Sequence, residues 1–159
     1  MTSKLPIEAQ RPAVKRVLRL DGMSRARIAA LCFVFGWFLI GGVAHFVFTE
    51  LEMRIVPPYV PWPRAAVLIS GVFELLGAAG LVWWRSRRLA GIGLFALTLA
   101  VTPCHFYMLQ RPDLFDVPYW LLVLRLPIQA FLLELIWWSS RPVMRDPMDR
   151  AVASIAKSA

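Results

Sequence analysis

The chain has 159 residues, 58% of them hydrophobic and 13% aromatic, an apolar share above that of an ordinary water-soluble domain. Its formal charge of +8 invites comparison with nucleic-acid binders, but the placement of the basic residues along the chain excludes that class, as shown below. The composition directs attention to lipid instead.

The first 27 residues are basic, with seven Lys and Arg. Within them "PAVKRVLRL" sets Val14, Val17 and Leu18 at helical spacing among cations, a pattern that fits an interfacial helix on anionic headgroups and equally a solvated basic tail. Ser24 is placed to cap the helix that follows. Four apolar runs come next: Ile28 to Thr49, Ala65 to Trp84, Leu89 to Leu109 and Tyr119 to Trp138. Each is close to the roughly 20 helical residues that cross a ~30 Å hydrocarbon core. The first run exceeds the roughly 7–15 residues of a signal-peptide core and lacks a small-x-small cleavage site, so it reads as a retained span. The expected fold is all-α: an antiparallel bundle of four transmembrane helices over 28–138, between a basic segment 1–27 and a polar tail 139–159.

Between the first two runs, "ELEMRIVPPYVPWPR" carries four prolines within Pro57 to Pro63. They exclude regular helix there and predict a stiff cap, with Tyr59 and Trp62 as headgroup-level anchors. "RSRR" (85–88) is so short that the second and third runs must form a hairpin. "QRPDLFDVPYW" repeats the proline and aromatic chemistry of the first loop. Lys and Arg number fourteen in the two terminal segments and the RSRR link, against three in the other two loops. The positive-inside rule then places both termini and RSRR in the cytoplasm of a multi-pass inner-membrane protein, and the arginines need no polyanion to explain them. Cys32 and Cys104 fall near opposite membrane faces, too far apart for a disulfide.

Five ionisable residues lie inside the runs: His45, Glu74, His105, Arg125 and Glu134. Such groups are costly in lipid and turn inward to partners or cavities. At a rise of about 1.5 Å per residue, Glu74 lies roughly 15 Å below the outer boundary, Arg125 about 10 Å, and the two histidines within about 7 Å. Glu134 falls near the inner face on the other side of its helix and reaches water by snorkelling. One helical turn from Glu74 stand Ser70, Gly71, Gly77 and Ala78, small residues that mark helix contact. Gly41 and Gly42 stand so to His45, Thr98 and Thr102 share the face of His105, and Gln129 extends the stripe of Arg125. The expectation is one outer cavity holding His45, Glu74, Cys104, His105, Arg125 and Gln129 beneath the proline-rich loop. The alternative for Glu74 and Arg125 is a structural ion pair locking two helices.

The segments "GGVAHF", "PPYVPWPRAAVLISGVFELLGAAGLV" and "RRLAGIGLFALTLAVTPCHFYM" resemble the DoxX-like (DoxD-like) family of small four-helix bacterial membrane proteins, most specifically in the proline-rich loop and in Ser70, Gly71, Val72 and Glu74. The resemblance implies a membrane subunit or accessory of quinone- or thiol-linked redox systems, thiosulfate:quinone oxidoreductases among them. His45 and Glu74 match the family pattern, whereas Cys104–His105 replaces the Ala-Asn expected after the proline.

Three readings stand at this point. In the first, the cavity holds a quinone-like head group, His45 and Glu74 exchange its protons, and Arg125, Gln129, His105, Cys104, Tyr59 and Trp62 bind it, with a membrane or soluble redox partner supplying electrons. In the second, the chain is a non-catalytic assembly partner or chaperone whose polar stripes fix helix packing. In the third, His45, His105, Glu74 and Cys104 bind a borderline metal, although no local ligand spacing supports a geometry. The sequence carries no phosphate-cradling glycine loop, nucleotide fingerprint, serine-centred motif, haem or iron–sulfur spacing.

Overall fold

The computed structural model describes Leu18, Leu20 and residues 22–142. The stretch holding Val14 and Val17, and most of the tail, lie outside the described residues. The described chain forms helices α1 (Arg25–Val47), α2 (Thr49–Met53), α3 (Pro63–Val82), α4 (Arg87–Ala100), α5 (Thr102–Gln110) and α6 (Tyr119–Ser140), with a 3₁₀ turn at Pro112–Leu114. Four spans, α1, α3, α4 with α5, and α6, have mean hydropathies from 1.6 to 2.0 and are long and apolar enough to cross a membrane.

Local chemistry sets the boundaries. Ser24 Oγ accepts the Arg27 N–H at 3.2 Å, satisfying one of the free donors of the first turn of α1. At the other end Thr49 Oγ1 donates to His45 O at 2.7 Å, closing α1 and opening the short α2, which the sequence reads as loop. Pro63 starts α3 at a position where its missing N–H costs nothing. Trp62 before it adopts φ 53°, a left-handed conformation consistent with the steric bar that proline places on right-handed helix in the preceding residue. Pro103 divides the third span, since it has no N–H to continue the ladder of α4, and α5 restarts after Val101. Three of the four spans begin two or three residues before the apolar runs do, because their caps and first turns are polar or proline-bearing.

The long helices pack in a ring: α1 against α3 and α6, and α4 against α3 and α6. The α1–α3 contact is close because glycine faces glycine. A Cβ on Gly42 would stand 3.1 Å from Gly71 O, and one on Gly71 would stand 3.2 Å from Gly42 O, so the two backbones touch, as small residues permit between apolar helices. Leu31, Val34, Phe38, Ala78, Leu81, Leu94, Leu132 and Ile136 form one core. The outward faces are apolar too, with Ile40 and Leu89 each 73% exposed, a distribution that suits lipid and not water.

The core lies toward the end where α3 turns into α4, and arginines seal that end. Arg87, read from the sequence as a topogenic charge in RSRR, is only 6% exposed. Its Nε donates to Leu81 O at 2.9 Å and its Nη2 to Leu18 O at 2.6 Å. Arg27 Nε donates to Ser139 O at 3.4 Å, and its Nη2 bonds Arg141 O. Each guanidinium thus satisfies orphan carbonyls at the negative end of a neighbouring helix, α3 for Arg87 and α6 for Arg27. At the opposite end the exposed turn after α5 is pinned by Arg111, whose Nε and Nη2 reach Asp113 at 3.2 and 3.0 Å. The hydrogen bonds to the guanidinium hold the Asp113 carboxyl below its usual range.

Candidate functional site

Away from the arginine-sealed end the core gives way to a cavity of about 590 Å³. Phe38 and Leu132 belong both to the core and to its wall, and Ile55, Val56 and Val60 line it from the loop between α2 and α3. Its size lies within the range of small-molecule sites, and like them it is mostly apolar with a few polar groups.

His45 projects into this cavity from the last turn of α1 and Glu74 from the middle of α3. The His45 Nδ1 lies 2.8 Å from Gly41 O. A carbonyl only accepts, so this contact assigns the ring proton to Nδ1, and the neutral imidazole keeps Nε2 as a bare acceptor. Glu74 Oε2 lies 3.8 Å from the same Nδ1; it is buried and has no hydrogen-bond partner among the described residues. The carboxylate therefore stands behind the imidazole, on the side away from its free nitrogen. When Nε2 takes up a proton, Glu74 is in place as counter-ion. The ring is thus held by the Gly41 carbonyl, with the Glu74 carboxylate near the same nitrogen at 3.8 Å but not hydrogen-bonded to it.

Two glycines make the arrangement possible. A Cβ on Gly41 would lie 2.7 Å from Glu74 Oε2, and one on Gly71 would lie 2.7 Å from His45 Cβ. The small residues beside both ionisable groups, read from the sequence as general helix contacts, are thus the specific space that lets these two side chains meet.

Cys104 and His105 reach the cavity from α5, and Arg125 and Gln129 from α6. Gln129 is 5% exposed. Its Nε2 donates to Thr98 O at 2.9 Å and to Thr102 Oγ1 at 2.6 Å, bridging α6 to the break between α4 and α5, while its buried Oε1 has no hydrogen-bond partner among the described residues. Arg125 makes no ion pair among the described residues, so the alternative of a Glu74–Arg125 lock is corrected: the partner of Glu74 is His45. The ring order explains this, since α3 packs chiefly on α1 and α4, whereas α6 packs on α1, α4 and α5. Tyr59 and Trp62 are 71% and 79% exposed and do not line the cavity, and Glu134 lies exposed outside it. Both cysteines are free. Among the described residues no three His, Cys, Asp or Glu side chains are grouped so as to hold a metal ion.

Two further side chains that the sequence does not single out, Trp37 of α1 and Glu52 of α2, also face the cavity. The signal for the first is present in the sequence, since Trp37, Gly41 and His45 recur every four residues and so share one stripe of α1; Glu52 lies beyond the break at Phe48 and has no such signal.

Four membrane-length helices around such a cavity define a helical, membrane-span-like protein. Residues 34–140 match the family described as Domain of unknown function (DUF8561), and the chain belongs to that family. The match includes every cavity-lining residue named above. No curated protein and no solved structure matches the chain.

Proposed function

We propose that the chain is a multi-pass inner-membrane protein of DoxX-like type, an antiparallel bundle with both termini cytoplasmic, that binds a quinone-like ring in its outer cavity and exchanges protons with it for a redox partner. The transmembrane domain is 28–138. Segment 1–27 and tail 139–159 flank it on the cytoplasmic side, as the excess of Lys and Arg there supports.

The observation that carries the reading is the His45–Glu74 pair, with its free Nε2, on the wall of an otherwise apolar cavity. A quinol hydroxyl donates to His45 Nε2; as the proton transfers, the Glu74 carboxylate compensates the imidazolium, and the Arg125 guanidinium steadies the oxygen that becomes anionic. Oxidation of a quinol releases two protons and two electrons. The protons leave through His45, and the electrons pass to a membrane or soluble redox partner. Cys104, His105 and Gln129 shape the far wall, while Tyr59 and Trp62 anchor the loop at headgroup level.

Binding of a fluorescent quinone analogue to purified protein tests the proposal. His45→Ala and Glu74→Gln are each expected to weaken it about tenfold, the loss of one charge-assisted contact, with melting temperatures close to that of the parent. Unchanged binding in both variants removes the site. Lower stability of Glu74→Gln with unchanged binding makes the pair a packing device.

A further inference from the structure

At the end of the bundle opposite the cavity, Arg27, Arg87, Arg88 and Arg141 gather with no ion pair to an acidic side chain among the described residues. The Arg88 Cζ lies 4.1 Å from the centroid of the Trp137 ring, and the Arg141 Cζ lies 5.3 Å from the same centroid. A guanidinium stacked on an indole uses its flat face on the ring and keeps its N–H edge for other partners. Neither side chain forms an ion pair among the described residues, and Arg88 Nη1 is buried with no hydrogen-bond partner. Arg27 stands near enough to Arg141 and Arg87 for mutual repulsion. Arg27 and Arg87 at least have helix-end carbonyls to bond, as described above; among the described residues Arg88 and Arg141 have only the indole. Such a cluster calls for an anion with several acceptor oxygens, and a phosphate supplies them with bidentate geometry.

The surroundings indicate which phosphate. Leu89, next to Arg88, is 73% exposed, and Trp138, next to Trp137, is 39% exposed. The cations therefore border an outward apolar surface, and an occupant that satisfies both carries a phosphate and hydrocarbon together. We propose that Arg88, Arg141 and Trp137 form a headgroup site for an anionic phospholipid. The inference rests on the membrane part of the reading above and not on its cavity chemistry.

The test uses the full chain in detergent with phosphatidylglycerol or phosphatidylcholine, and native mass spectrometry reads the lipid retained. Phosphatidylglycerol is expected to be retained in preference, and Arg88→Gln/Arg141→Gln to weaken that retention about 30-fold, the effect of two arginines at an anionic surface. Arg54→Gln/Arg64→Gln makes the same change in net charge at the other end of the bundle and is expected to leave retention intact. Arg141 is exposed beyond the end of α6, so Arg141→Gln alone gives a variant that keeps the fold and still loses a share of the preference.

Equal retention of the two lipids by the parent chain overturns the site. So does a double variant that holds phosphatidylglycerol as the parent does, or an equal loss in the Arg54/Arg64 control. Inorganic phosphate that displaces the lipid at equal concentration assigns the cluster to free phosphate and overturns the lipid source. Release of the chain from membranes by alkaline carbonate would instead remove the membrane reading itself, a separate result.

Discussion

At one end of the bundle Arg87 is buried, and its guanidinium bonds the carbonyls of Leu81 and Leu18; at the other, Glu74 Oε2 is buried with no hydrogen bond among the described residues. Both ends place an ionisable side chain among apolar helices, where an unsatisfied polar group costs several times what a satisfied one does. For Arg87 that cost is removed by helix-end carbonyls, next to a closed core of Leu81, Leu94 and Ile136, all at most 1% exposed. At the cavity end it is left standing, next to about 590 Å³ of space. A polar group kept unsatisfied beside a cavity is where function is sought, and one fully bonded beside a packed core is where stability is sought.

The largest expected effect follows from that contrast. Arg87→Ala removes a charged donor from three main-chain carbonyls, Leu81, Leu18 and Val82, and opens a void beside the core. A loss of about 3 kcal/mol is expected from hydrogen bonds of this class, measured by SDS titration or thermal melting in detergent. Arg87→Lys recovers part of it, because an ammonium is a point donor and does not reproduce the planar fork. Glu74→Gln, by contrast, is expected to leave the melting transition nearly unmoved. If it unfolds the protein as Arg87→Ala does, the two ends do not differ in kind.

A second substitution probes the close crossing of α1 and α3, between the two ends. Gly71→Ala would put a methyl group 2.7 Å from His45 Cβ, 3.1 Å from Phe46 Cε2 and 3.2 Å from Gly42 O. The last of these is backbone, so the helices must part, at an expected cost of about 1–3 kcal/mol. The same change withdraws His45 from Glu74, so quinone-analogue binding falls alongside stability. Normal melting with normal binding would show that the close crossing does not hold the cavity wall in place.

The sequence reading reached further into the fold than into the site, for a physical reason. Span length and hydropathy are summed over some 20 residues, so the four long helices are legible even though Pro63 and Arg87 shift their starts. The proline-rich loop is legible because proline acts locally. Which ionisable group meets which is a different matter. His45 and Glu74 are neighbours because Gly41 and Gly71 leave room at the α1–α3 crossing, and Arg125 is not, because α6 packs mainly on other helices. That order around the ring is a tertiary property with no local signature. The role of Arg87 was hidden for a similar reason: a charge in a four-residue link reads as topology until the link is seen to fold back onto the end of α3.

The smallest expected effect comes from glycines that neither end uses. Gly36 in α1 and Gly93 in α4 have no atom within 4 Å of where a Cβ would stand, in contrast to Gly71 and Gly41. Alanine there restricts the unfolded backbone and favours helix, for a gain of roughly 0.5–1 kcal/mol at each site. Gly36→Ala and Gly93→Ala are therefore expected to raise the melting temperature slightly and to leave ligand binding alone. Because Gly36 and Gly71 are chemically the same residue in the same kind of helix, opposite signs for the two substitutions isolate packing from propensity. If Gly36→Ala destabilises as Gly71→Ala does, then alanine is unfavourable throughout these helices, and the cost at the crossing says nothing particular about how the cavity wall is built.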